Sequence, residues 1–146
     1  TLFNWLMWDI QNAQVLDLCA GSGALSFEAL SRGAAHVTMI EPNSNQAQFL
    51  KDNISLLKAQ NCQLKIMTAQ QALAGLNTQF DVVFLDPPYN LWQDLAEKTD
   101  PLIKNEAYIY VEADCYLSKL TLPSSWVLVK ETKAGAVRAG LYQNQV

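Results

Sequence analysis

The 146 residues suffice for one compact domain, and half of them are apolar, enough for a sizeable core. No apolar stretch approaches the roughly 20 residues of a membrane-spanning helix, no basic-then-apolar leader opens the chain, and the three separated cysteines, Cys19, Cys62 and Cys115, lack the spacing of a disulfide framework or a zinc site. The formal charge of −4, with Lys51, Lys58 and Lys65 on or beside one expected helix and Arg32 and Arg138 as the two arginines, shows no plain basic face. These features predict a soluble, metal-free protein of a reducing cytoplasm, without a membrane partner.

Short apolar runs alternate with longer amphipathic ones, the pattern of a parallel sheet covered by helices on both faces. The chain opens on a helical pattern, with Leu2, Leu6 and Ile10 at four-residue steps. Val15 to Leu18 reads as a buried first strand, running into the turn Cys19-Ala20-Gly21-Ser22-Gly23. A helix is expected from Ala24 to Arg32, stopped at Gly33. His36 to Glu41 reads as a second strand, and Asn43 or Ser44 can cap the helix that carries Ala47, Leu50, Ile54 and Leu57 on one face. A third strand is expected at Gln63 to Met67. Asp81 to Leu85, almost wholly apolar, is placed at the sheet centre and is halted by Pro87 and Pro88. A helix around Leu91 to Leu102 leads to a strand at Tyr108 to Glu112, and Trp126–Glu131 and Val137–Tyr142 can pair as a hairpin through Gly135. The expectation is one α/β domain over residues 1–146, with a seven-stranded, mostly parallel sheet and an antiparallel C-terminal hairpin.

In such a sheet, ligands sit beyond the carboxyl ends of the strands, near the point where strand order reverses. Two unusual turns fall at such ends. Asp17-Leu18-Cys19-Ala20-Gly21-Ser22-Gly23 sets two glycines where the backbone must bend and let a ligand approach. Glu41, followed by Pro42, closes the second strand eighteen positions after Gly23, where a carboxylate can accept the hydroxyls of a ribose. Gln70, after the third strand, could hydrogen-bond an adenine, although a helix-start role suits it equally. The second turn is Asp86-Pro87-Pro88-Tyr89. An aspartate oxygen and the Pro87 carbonyl can accept the N–H bonds of an amino group and aim its lone pair. The prolines fix that carbonyl, and Tyr89 can stack on a flat base, a contact worth about 1–3 kcal/mol in single-stranded nucleic-acid sites. His36, at the start of a strand, belongs to the opposite sheet edge and reads as structural. Neither Cys62 nor Cys115 follows a proline, neither reads as a covalent nucleophile, and Glu112 reads chiefly as a strand-end charge.

These turns resemble known motifs. A glycine turn also serves nicotinamide and flavin enzymes, but Ser26 stands where their third glycine would be. The stretch from Asp17 to Gly23 is instead similar to the first motif of class I S-adenosylmethionine-dependent methyltransferases, and Asp86 to Tyr89 resembles the Asp/Asn-Pro-Pro-Tyr/Phe motif of amino-methyltransferases. That motif serves adenine N6, cytosine N4, guanine N2 and glutamine amides. More broadly, Thr1 to Leu6, the block from Asp17 to Ala34, Glu41, Asp86 to Tyr89 and Tyr108 to Glu112 resemble the bacterial small-subunit ribosomal RNA guanine-N2 methyltransferase family. The resemblance implies a Rossmann-like class I methyltransferase fold, S-adenosylmethionine as cofactor, and a guanine N2 of small-subunit rRNA, free or in the assembled subunit, as acceptor. By the resemblance and the turns together, Asp86, Pro87, Pro88 and Tyr89 would be catalytic. Asp17, Cys19, Ala20, Gly21, Ser22, Gly23, Glu41, Pro42 and Gln70 would hold the cofactor.

The family carries a basic stretch before the Leu-Phe-Asn-Trp-Leu helix, whereas this sequence starts at Thr1. A short N-terminal segment is therefore expected to be missing, and with it part of the grip on RNA. The chain is expected to act as a monomer. Three other readings stay open on the residues alone: a DNA adenine-N6 or cytosine-N4 methyltransferase, a cofactor-binding protein without turnover, and a nicotinamide oxidoreductase.

Overall fold

The computed structural model describes residues 2–6, 9–87 and 89–146. A seven-stranded sheet with spatial order β3-β2-β1-β4-β5-β7-β6 forms its centre. The strands are β1 (Gln14–Asp17), β2 (His36–Ile40), β3 (Cys62–Lys65), β4 (Phe80–Leu85), β5 (Ile103–Ala113), β6 (Trp126–Ala134) and β7 (Val137–Asn144). The first five run parallel, and β7 lies antiparallel to both β5 and β6. The expected architecture is thus present. Strand order reverses at β1, which pairs with β2 on one side and β4 on the other.

The helices are α1 (Leu2–Trp5), α2 (Ala24–Ser31), α3 (Ser44–Leu56), α4 (Ala69–Gly75) and α5 (Trp92–Thr99). Alternation along β4 explains why helices cover both faces: Val82 and Phe84 join a core with Leu6, Ile10 and Leu50, while Val83 and Leu85 join one with Leu73, Trp92 and Leu95. The helix ends follow local chemistry. Gly33 takes φ +94°, and the Gly33 and Ala34 amides bond the Leu30 and Ala29 carbonyls, closing α2 as expected. The Asn43 side chain accepts from the Gln46 amide at 3.0 Å and starts α3. A reciprocal pair, Thr68 Oγ1 with the Gln71 amide and Gln71 Oε1 with the Thr68 amide, starts α4.

Several boundaries differ from expectation. The third strand ends at Lys65, because Thr68 already caps α4; Gln70, the second residue of that helix, takes the helix-start place that the sequence allowed. The helix expected to reach Leu102 ends at Thr99, whose hydroxyl bonds the Leu95 carbonyl; Pro101 then belongs to a 3-10 turn. Strand β6 is longer than its apolar core, since hairpin pairing with β7 extends it through Thr132 and Lys133, and β5 begins earlier than expected, at Ile103, which pairs with Phe80 on β4 ahead of a register shift. Leu6 and Ile10 are buried as expected, but α1 itself stops at Trp5, and the Leu2 side chain lies outside the described residues.

Candidate functional site

The glycine turn leaves the carboxyl end of β1 and enters α2. Three backbone hydrogen bonds hold it: Leu18 to the Phe84 carbonyl, Ala20 to the Ile40 carbonyl and Gly23 to the Ala20 carbonyl. Both glycines take positive φ, +55° at Gly21 and +82° at Gly23, a region that L side chains rarely adopt. Their surroundings differ. A β-carbon on Gly21 would meet only the Cys19 carbonyl, 4.0 Å away, so this position opens onto free space that a ligand can enter. On Gly23 it would lie 2.6 Å from both Leu50 Cδ2 and Phe27 Cε2, so this glycine lets α2 and α3 close together and lines no part of the cleft.

Glu41 follows β2 and is buried. Its Oε1 accepts the Gly21 amide and its Oε2 the Asn43 amide, each at 3.0 Å. The carboxylate therefore ties the glycine turn to the start of α3, a role that sequence reasoning did not foresee. Each oxygen keeps a further lone pair for a ligand hydroxyl.

Two adjoining cavities meet at this turn. One, of about 330 Å³, is lined by Leu18, Glu41, Pro42, Thr68, Ala69, Gln70, Pro87, Leu91 and Leu95. Its mostly apolar walls, a carboxylate at one side and Gln70 at the other suit a nucleoside. The second, of about 320 Å³, is lined by Asp17, Ala20, Ser22, Ala24, Leu25, Phe84, Tyr110 and Glu112. Cys19, Gly21 and Asp86 line both. A two-part ligand can thus cross Gly21, its ring in the first cavity and its polar tail in the second. A third cavity, of about 500 Å³, opens from Asp86 and Pro87 towards Trp92, Glu112, Ala113, Asp114 and Val137.

The electrostatics of this cleft are one-sided. Five carboxylates, Asp17, Glu41, Asp86, Glu112 and Asp114, line the three cavities, and among their described lining residues there is no Lys, Arg or His. Asp17 is nearly inaccessible and accepts a 2.6 Å hydrogen bond from Ser26 Oγ. Burial pushes its carboxyl up to about 6 against that bond, and the charges bearing on it, Asp86 and Glu41, are both negative. Asp86 is likewise raised to about 6, by burial first and then by Glu112 and Asp114. Such a cleft repels a pyrophosphate and attracts a cation, which disfavours nicotinamide and flavin dinucleotides. A ligand carrying an adenine ring, a ribose, a sulfonium and an amino-acid tail fits the walls, and its sulfonium and ammonium suit the charge.

The sequence-predicted residues assemble unequally. Asp17, Cys19, Ala20, Gly21, Ser22, Glu41, Pro42, Gln70, Asp86 and Pro87 come together around the cleft, whereas Gly23 does not reach it. Pro88 and the Tyr89 side chain lie outside the described residues; the Tyr89 backbone begins a 3-10 turn leading to α5. His36 sits at the amino end of β2, on the opposite edge. Cys19 is raised to about 11, chiefly by burial, so its thiol stays protonated and is no nucleophile at neutral pH. Sequence reasoning undervalued Glu112 and missed Tyr110. They point to the cleft two residues apart on β5, with the Tyr110 hydroxyl donating to Glu112 Oε1 at 2.6 Å. Burial and that carboxylate hold the phenol well above its ordinary value, so it stays a neutral donor. The i, i+2 spacing at a strand's carboxyl end was the available signal.

Comparison with known proteins agrees with this geometry. The family model described as Conserved hypothetical protein 95 matches residues 1–143. Ribosomal RNA small subunit methyltransferase D of Escherichia coli K12 is 42% identical over 99% of this chain and 75% of its own length. The protein of the same name from Haemophilus influenzae is 43% identical over 99% and 78%. Among solved structures, yhhF from Escherichia coli superposes with a TM-score of 0.93 at 40% identity, covering 99% of this chain and 84% of that one. The ribosomal protein L11 methylase of Lactobacillus delbrueckii subsp. bulgaricus, at 16% identity and a TM-score of 0.81, covers 99% and 77% and shares the fold. On the family match, the identity along the whole chain and the cation-seeking cleft at the strand ends, this chain belongs to the Conserved hypothetical protein 95 family, S-adenosylmethionine-dependent methyltransferases of the ribosomal RNA small subunit methyltransferase D type.

Proposed function

We propose that residues 1–146 form one monomeric, cytoplasmic methyltransferase domain that methylates the exocyclic N2 of a guanine in small-subunit ribosomal RNA. The named relatives, ribosomal RNA small subunit methyltransferases, support the RNA. The observation that carries guanine is the presence of Asp86 and Glu112 together in the third cavity, which opens beyond the pair that suits the cofactor. Beside its amino group, guanine has a protonated ring nitrogen, so its N1–H and N2–H bonds can meet two carboxylates. Adenine and cytosine present a lone pair at the corresponding ring nitrogen, which a second carboxylate would repel.

The bound cofactor supplies an electrophilic methyl carbon on a positively charged sulfur. Asp86 and the Pro87 carbonyl accept the N2–H bonds and turn the nitrogen lone pair towards that carbon. Glu112, braced by the Tyr110 hydroxyl, accepts N1–H and holds the base in register. The nitrogen that would take the methyl group from the sulfonium gives up a proton, and Asp86 takes it. With its carboxyl near 6, Asp86 is a stronger base than an ordinary aspartate. Gly21 opens the path along the turn, and Glu41 and Gln70 orient the nucleoside end of the cofactor.

The test is tritiated methyl incorporation into small ribosomal subunits, naked rRNA and duplex DNA, followed by nucleoside analysis. N2-methylguanine in RNA is the expected product; N6-methyladenine or N4-methylcytosine would overturn the assignment. A second arm replaces Glu112 with Ala. Losing a charged hydrogen bond of about 1.5–3 kcal/mol should lower kcat/KM for RNA some ten- to hundredfold, a larger loss than the same variant shows in cofactor affinity.

A further inference from the structure

We propose that the tip of the β6–β7 hairpin, together with Tyr116 and Lys119, grips the sugar–phosphate strand that flanks the target base. The proposal rests on the reading that the substrate is RNA, and it names a surface which that reading leaves unassigned. Charge is divided unevenly along the chain. Residues 1–115 carry thirteen acids against six bases, whereas residues 116–146 carry Lys119, Lys130, Lys133 and Arg138 against Glu131 alone. The overall negative charge therefore hides a basic C-terminal segment.

Topology brings that segment to the cleft. Antiparallel pairing sets Ala113 on β5, Arg138 on β7 and Lys133 on β6 abreast, so their side chains share one face at the carboxyl edge of β5. The Arg138 guanidinium lies 4.2 Å from the centroid of the Tyr116 ring, and Lys119 Nζ lies 6.0 Å from it. Tyr116 is 57% exposed. Ala113, the strand partner of Arg138, and Val137, its neighbour along β7, line the same cavity as Asp86, Glu112 and Asp114. The basic patch thus borders the acidic cleft. Among the described residues, Lys119, Lys130, Lys133 and Arg138 form no ion pair, as is also true of Lys51, Lys58 and Lys65, but only the C-terminal four are gathered on the hairpin and beside it.

The charge pattern selects what goes where. A phosphate is repelled by a cleft lined with carboxylates, whereas an uncharged base can enter it. Phosphates held on the rim by Lys119, Lys133 and Arg138 leave the base free to reach Asp86, and the Tyr116–Arg138 stack offers a platform for a neighbouring base.

The test compares Lys119→Glu/Lys133→Glu with Lys51→Glu/Lys58→Glu, an equal change of charge at exposed sites away from the rim, with melting curves to verify folding. Affinity for an oligouridine strand and for a small-subunit rRNA transcript is measured across a salt series, beside methyl transfer. The rim variant should bind both RNAs at least tenfold more weakly at low salt. Its log–log salt slope should be shallower by about 1.4, from two contacts at about 0.7 each. KM for RNA should rise, with kcat and cofactor affinity unchanged, and Glu131→Lys should bind RNA more tightly than wild type. Binding equal to wild type, a loss no larger than in the Lys51/Lys58 variant, or a loss confined to kcat would overturn the proposal. Failure of the underlying reading looks different: the wild type would bind oligouridine through the rim yet transfer no methyl group to RNA. A wild type that binds neither RNA overturns the surface itself.

Discussion

Asp86 and Asp17 share an elevated carboxyl near pH 6, yet the two groups are set to different tasks. Asp86 is half-buried yet opens onto all three cavities, where it can meet a substrate proton. The rate of methyl transfer should therefore decline as pH falls through about 6 and Asp86 becomes protonated. Asp86→Asn, which keeps the shape but removes the base, should lower kcat by about 10²–10⁴-fold, with cofactor affinity within a few-fold by calorimetric titration. Turnover at the wild-type level would remove Asp86 from the mechanism. Asp17 is buried among neutral and negative groups, so its ionisation is a cost to the folded chain until a cation arrives. Its folded carboxyl lies above the ordinary 3.8, so the folded state binds the proton more tightly than the unfolded state. Its contribution to stability is highest below about pH 4, declines as pH rises towards about 6, and is flat above. Asp17→Asn should remove that decline and stabilise the cofactor-free protein at pH 7 by roughly 2–3 kcal/mol, from about two pH units at 1.36 kcal/mol each. It should also weaken cofactor binding. Melting curves at pH 4.5 and 7.5 with both proteins check the pair of effects.

At the scale of elements, the glycine turn combines two jobs that one motif conceals. Gly21→Ala meets open space but strains a left-handed backbone, a cost of about 1–2 kcal/mol, and places a methyl group where the cofactor must pass. Gly23→Ala adds a clash with Leu50 and Phe27 to the same strain, for a total of about 2–4 kcal/mol. Denaturant titration should therefore find Gly23→Ala the less stable variant, and calorimetry should find the larger loss of cofactor affinity in Gly21→Ala. The reverse order would mean that the two glycines have been assigned each other's roles. Capping shows a similar division. Asn43 was recognisable as a cap because an amphipathic run follows it, whereas the Thr68–Gln71 pair was hidden by the brevity of α4. Missing that cap displaced the end of β3, while the helix-start place held open for Gln70 is the one it takes, at the second residue of α4.

For the whole molecule, a cleft lined by carboxylates implies that the cofactor stabilises the fold by more than contact. A ligand that binds only the folded chain, at a hundredfold its Kd, contributes about 2.7 kcal/mol. That should raise Tm by about 5–10 °C for a chain of this size. S-adenosylmethionine, which carries the sulfonium, should raise Tm more than adenosine at equal concentration. A melting temperature indifferent to both compounds would contradict the assigned site.

Much could be read before any coordinates. The alternation of apolar runs foretold a parallel sheet, since a strand buried on both faces must be apolar throughout, as Val82 to Leu85 are. The glycines after β1 and the Asp-Pro-Pro-Tyr turn after β4 marked the active edge, because such residues satisfy local backbone demands wherever they occur. What sequence could not supply was convergence between distant strands. That Glu41 clasps the Gly21 amide, that Ser26 bonds Asp17, that Tyr110 and Glu112 face Asp86, and that Lys133 and Arg138 stand abreast at the rim all depend on strand order and register. Isolated charges look alike along a chain; only packing decides which of them share a cleft, and so which carboxyls are raised and which cations border them.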